Sequence, residues 1–133
     1  MSASNYLELE ILDHIFGNGT YTPATNIFVA LLTATPDDTD TGSTITEATY
    51  TGYARKSTAG SDWNTASAGA IDNANAITFD ACTGGSSTIT HFALCDASTA
   101  GNVLFWGALS SSFAVSDGVT PSFGAGALDT TAD

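Results

Sequence analysis

Two hydrophobic rhythms divide the chain. Between Leu7 and Phe16 the apolar positions Leu7, Leu9, Ile11, Leu12, Ile15 and Phe16 recur at helical spacing among Glu8, Glu10, Asp13 and His14. Beyond Gly19 the rhythm shortens to small apolar or alternating runs about ten residues apart, separated by Gly, Ser, Asn and Asp clusters. The first rhythm predicts one N-terminal helix and the second a series of short strands.

Both helix ends are marked. Ser4 or Asn5 can accept from the free N–H groups of the first turn, Asn5 with Glu8 has capping-box spacing, and Gly17 followed by Asn18-Gly19 provides a left-handed stop. At ~100° per residue the apolar stripe spreads over more than half the circumference, interrupted by Glu8, which is wider than a helix lying on one sheet requires. Two arrangements fit: a helix wedged into the edge of its own domain, or one that docks on its own core and on another subunit.

The strand-like runs are NIFVALLT (26–33), YTGYARKS, SDWNTA, NAITF, STITHFALCD, NVLFWGALS, SFAVS and VTPSF. With no second helical pattern between them, they predict a mainly β fold: an antiparallel β-sandwich or jelly-roll-like domain carrying one N-terminal α-helix. A length of 133 residues suits a single domain, with 1–19 as helix and turn and 20–133 as the sandwich. Segment 33–49 is polar enough for a long surface loop. HFALCD-ASTAG-NVLFWGAL is the clearest hairpin, with Asp96 and Gly101 placed to shape its reversal. Strict alternation puts Thr90, Phe92 and Leu94 on one face and Ile89, His91, Ala93 and Cys95 on the other. In the second strand Val103, Phe105 and Leu109 stand opposite Leu104, Trp106 and Ala108. Both hairpin faces therefore require cover, from a second sheet, the helix or a neighbouring chain.

Charge narrows the function. Arg55 and Lys56 are the chain's two cations against fourteen carboxylates, for a net charge of -12. Phosphate backbones are bound by displacing counterions with Lys and Arg, so nucleic-acid binding is excluded in practice, and anionic membrane surfaces are disfavoured. Apolar runs such as FVALL and VLFW fall far short of the ~20 residues of a spanning helix. The acidic N-terminus is unlike a secretory signal, which implies a protein that matures where it is made. Cys82 and Cys95 are therefore expected as free thiols. Because neighbours on a strand point to opposite faces, Arg55 and Lys56 are expected to have separate roles: Arg55, on the face of Tyr53, forming a bidentate pair with a carboxylate within the fold or across a subunit boundary, and Lys56 solvated.

No constellation predicts catalysis, a metal or a cofactor. His14 falls on the polar side of the helix, and His91 shares a strand face with Cys95, too few donors for a zinc site. DDTDTG (37–42) resembles a calcium loop, but its glycine comes one residue early and the closing Glu is missing; a turn-rich acidic loop at Asp37–Asp40, at most holding a surface cation, is the simpler expectation. There is neither a G-x-S-x-G elbow nor a P-loop.

NYLELEILDHIFGNGTYTPATNIFVALLTATP, Gly52-Tyr53-x-Arg55, Ala76-Ile77-Thr78-Phe79, ITHFALCDASTAGNVLFWGAL, and a closing segment with Val115, Gly118, Phe123 and Ala125-Gly126-x-Leu128 together resemble small virion proteins of tailed bacteriophages, commonly labelled tail fibre proteins. Lys56 and Cys95 depart from the family's usual residues and affect only local packing. The resemblance implies a non-enzymatic, oligomeric, β-rich particle component, made in the bacterial cytoplasm and resident in the virion. The absence of a repetitive shaft favours a capsid-decorating (cement) protein that contacts copies of itself, as a trimer or dimer, and the major capsid protein. The alternative is a tail fibre or receptor-binding module that recognises a host glycan with exposed Trp63 or Trp106. Leu7, Ile11, Ile15, Phe16, Arg55, Trp63 and Trp106 are the expected interface residues, since apolar and aromatic anchors dominate such contacts.

Overall fold

A computed structural model describes residues 1–132. In chain order the elements are β1 (Ser2–Ala3), α1 (Asn5–Phe16), β2 (Ile27–Leu32), β3 (Lys56–Thr58), a 3₁₀ turn (Gly60–Asp62), β4 (Ala70–Asp72), β5 (Ile77–Thr78), β6 (Ser86–Cys95), β7 (Val103–Ser116), β8 (Ser122–Phe123) and β9 (Asp129–Thr131). The fold is mainly β, a sandwich with one N-terminal helix. Its larger layer is a five-stranded antiparallel sheet in the order β1-β7-β6-β2-β3, and two ribbons, β4-β9 and β5-β8, supply further pairing.

The central strands are buried on both faces, as their unbroken apolar runs require. Val29 and Leu31 of β2 join Ile89, Phe92 and Leu94 of β6 in the main core, which Tyr50, Phe79 and Leu128 close from the loops and ribbons. Ala30, Leu32, Ala93, Cys95 and Val103 face the other way and are covered by Ile45 of the polar loop, with Phe28 and Trp106 packed alongside. The loop between residues 33 and 49 thus provides the lid that the hairpin's second face needs. Cys82 lies in the main cluster and Cys95 in the second, both as buried free thiols.

The structure corrects several local expectations. NVLFWGALS and SFAVS form one strand, β7, whose register jumps from Phe113 opposite Ile89 to Ala108 opposite His91. While β6 advances by two residues, β7 advances by five, so Leu109–Ser112 hold a bulge. The alternation changes phase there, and Ile89 enters the same cluster as Phe92 and Leu94 instead of sharing the face of Ala93 and Cys95. YTGYARKS enters a strand ladder only from Lys56, which runs on to Thr58, and otherwise makes a single bridge from Thr51 to Gly84, because Gly52, at φ 100°, turns the chain and Arg55 rotates into the interior before the ladder begins. SDWNTA is a 3₁₀ turn, with Asp62 Oδ2 accepting from Ala59 N at 2.9 Å, followed by a single bridge from Trp63 to Asn73. In the hairpin, Asp96 shapes the turn by accepting from the Asn102 backbone N–H at 2.7 Å and its side-chain amide at 2.8 Å.

Arg55 is used within the chain. Its side chain is 1% exposed, and five bonds engage its five donors. Nη2 donates to Glu47 Oε1 and to Gly42 O, both at 2.6 Å, and Nε donates to the same Oε1 at 3.0 Å. Nη1 donates to Ala97 O at 2.8 Å and Ala100 O at 2.9 Å. The carboxylate pairing is not a fork across two oxygens, because Glu47 Oε2 accepts from the Tyr53 hydroxyl at 2.5 Å, and that hydroxyl accepts from Leu31 N at 3.1 Å. Gly42 must be glycine for this approach: a Cβ there would lie 1.9 Å from Ala100 O.

Arg55→Met is expected to lower stability by about 3–5 kcal/mol, because it strands three carbonyls and a partly buried carboxylate; a urea midpoint unchanged from wild type would refute the clamp. Alkaline titration gives a second check. Burial pushes the Cys95 thiol up to about 11, outweighing the lowering effect of nearby Arg55. The unfolded chain therefore loses this proton first, near an ordinary thiol value of about 8.5. Stability conferred by the neutral thiol is complete below that pH and declines as pH rises toward about 11. Burial and the Glu47 bond also raise Tyr53, which steepens the loss at the alkaline end. Urea unfolding across this range should show a shallower decline for Cys95→Ala than for wild type.

Candidate docking surface

The N-terminus of α1 is fixed to β7 by backbone chemistry. Ser4 N donates to Leu104 O at 2.9 Å, Ser4 Oγ donates to Val103 O, and the same Oγ accepts from Leu7 N at 3.2 Å. Ser4, rather than Asn5 with Glu8, is thus the N-cap, which corrects the expected capping box. Asp38 braces this end: its backbone carbonyl accepts from Asn5 N at 2.9 Å, and its Oδ1 from Trp106 Nε1 at 2.8 Å and Ser2 Oγ at 3.0 Å. At the other end Gly17 adopts φ 79°, and Asp13 O accepts from Asn18 N at 2.9 Å and Gly19 N at 3.1 Å.

Between these caps the helix leaves its apolar side in water. Leu7 is its one buried side chain, whereas Leu9, Ile11, Leu12, Ile15 and Phe16 are 41–75% exposed. At ~100° per residue these five cover an arc of roughly 160°, with Glu8 inside it and Asp13 beside Leu9 at its rim. Trp63 and Trp106, by contrast, are half-buried. Trp63 packs on the main core and donates to Thr58 Oγ1 at 2.9 Å, and Trp106 packs on the second cluster with its N–H on Asp38. Of the expected interface residues, the structure groups Ile11, Ile15 and Phe16 on one outward face, seats Leu7 beneath them, and places Arg55 in the interior. Leu9 and Leu12 complete the exposed face; both lay in the sequence stripe, and only the fold shows that Leu7 alone turns inward.

A concave apolar surface adjoins the helix. A cavity of about 350 Å³ lies between Leu7, Ile11 and Leu12 of α1 and Phe105, Thr131 and Ala132. Phe105, Thr131 and Ala132 also line a second hollow of about 150 Å³, which shares Ile71, Phe105 and Thr130 with a third of about 310 Å³ that reaches Trp63 and Ile27. Phe105 is common to all three, so they form a trough running from the helix face to Trp63. Sequence gave no signal for the trough, because its wall comes from the β4-β9 ribbon. Among the described residues no group of three or more His, Cys, Asp or Glu side chains could hold a metal ion, and no helix is long and apolar enough to cross a membrane.

An outward apolar helix beside an apolar trough is a surface of the kind that marks an interaction or ligand-binding site. The family model described as Podophage GP4 fiber I protein gp80 matches residues 2–131, and the chain belongs to this family of phage fibre proteins. It is a structural, virion-type phage protein. No curated protein matches the chain.

Thr130, in the trough wall, is 4% exposed, and its hydroxyl has no hydrogen-bond partner among the described residues. Thr130→Val keeps the shape and removes the unsatisfied group, so it should stabilise the chain by about 1 kcal/mol. Thermal unfolding checks this, and a lower midpoint would show that the hydroxyl is satisfied in solution.

Proposed function

We propose that this chain is a non-enzymatic building block of the phage particle, held there by the exposed face of α1. One observation carries the proposal. Of the six large apolar side chains exposed among the described residues, five belong to this helix and the sixth is Met1. The patch amounts to on the order of 500 Å² of apolar surface, near the upper end of what a monomer leaves uncovered and a useful share of one partner's side of an interface.

The family description, a fibre protein, supports a place in the virion. Two positions fit: decoration of the head, as a cement protein against the major capsid protein, for which a sandwich whose described elements include no shaft-like repeat speaks, and a tail fibre, for which the family's description speaks. In either position the acidic exterior keeps particles soluble and mutually repelling.

Ile15→Asp with Phe16→Asp is the direct test, because both side chains are exposed in the free chain and surface changes there alter folding little. The double variant should still fold, with a melting temperature lowered by no more than a few degrees because two carboxylates oppose the dipole at the helix C-terminus, yet be depleted at least tenfold from purified virions when supplied during infection. Gold labelling of wild-type copies then separates the positions: label at the tail supports the fibre, and label over the head supports decoration. Normal incorporation of the double variant would end the proposal.

A further inference from the structure

The geometry points to a particular kind of occupant for the α1 face and its trough: a different protein that offers an apolar segment rimmed by Lys or Arg. This rests on the reading that α1 seats the chain in the particle, and adds the partner's chemistry. Glu8 lies within the apolar arc and also lines the cavity beside Ile11 and Leu12, while Asp13 stands at the rim next to Leu9. A partner that covers the arc must bring Glu8 out of water. Burying a carboxylate without a cation or donor opposite it is strongly unfavourable.

No Lys or Arg side chain of this chain stands at that face. Arg55 is committed to Glu47 and three carbonyls in the interior. Lys56, the other cationic side chain, sits on β3, with β2 and β6 between it and the strand that carries α1. His14 is no substitute, since it lies outside the apolar arc and its Nδ1 accepts from Tyr21 N at 3.3 Å. Two copies joined through α1 would bring two acidic helix faces together, on chains that each carry a net charge of -12. Charge complementarity therefore selects a basic-rimmed partner over a second copy.

The test uses two synthetic amphipathic peptides with the same Leu/Ile face, one flanked by Lys and the other by Glu, titrated against the intact chain by fluorescence anisotropy. The Lys-flanked peptide should bind at least tenfold tighter than the Glu-flanked one, and lose about tenfold when salt rises from about 0.05 M to about 0.5 M. Glu8→Gln should erase most of the preference between the peptides, and Leu12→Asp with Ile15→Asp should abolish binding of both while the fold persists. Equal binding of the two peptides would overturn the charge argument and leave the helix seat standing. A dimer seen by sedimentation and broken by the double Asp substitution would also overturn it, identifying a second copy as the occupant. Binding of neither peptide, with the Ile15→Asp, Phe16→Asp chain still entering virions, would remove this inference and the seat together.

Discussion

Arg55 is the constraint on which the rest of the structure depends. One guanidinium gathers three separate stretches: the polar loop through Gly42 and Glu47, the approach to β3 through Tyr53, and the β6–β7 hairpin turn through Ala97 and Ala100. None of these has regular secondary structure to hold it. The polar loop carries Ile45, which lids the second cluster, and it carries Asp38, which braces the start of α1. A change at Arg55 would therefore reach the helix by way of the loop. Burying a charge is costly unless every donor is met, and here five bonds meet all five.

The same economy explains the contrast between interior and surface. The structure places the one fully used cation where carbonyls converge, and leaves the carboxylates largely to loops and the helix. Solubility then rests on excess negative charge, and an apolar helix face can be carried in water without a partner always present. The helix does not need that face to stay attached. Ser4, Asp38 and the single buried Leu7 hold its first turn, so the outward side chains are free to serve an external surface.

What could be read from the sequence was whatever depends on local pattern. The helix from Asn5 to Phe16, its Gly17 stop, the β2 run and the hairpin with its Asp96 turn all follow from periodicity and from residues with one strong conformational preference. The separate roles of Arg55 and Lys56 were also legible, although Arg55 lies outside the strand on which that expectation was built. The phase change at Leu109–Ser112 was not, because Ser-rich stretches alternate as acceptably in a strand as in a bulge. Nor were the β4-β9 and β5-β8 ribbons, each only two or three residues long and specified by contacts distant in the chain. At the candidate site, the stripe announced a helix with too much apolar surface. Which part of that surface faced outward depended on the pairing of β1 with β7, and no spacing encodes it.

The edges of the five-stranded sheet also bear on how copies can meet. One border is β1, two residues long, and the other is β3, three residues long with Lys56 exposed upon it. A short border offers few unpaired amides, and an ammonium group there resists the flat approach of another strand. Edge-to-edge pairing between copies is therefore disfavoured at both borders, by brevity at β1 and by brevity and charge at β3.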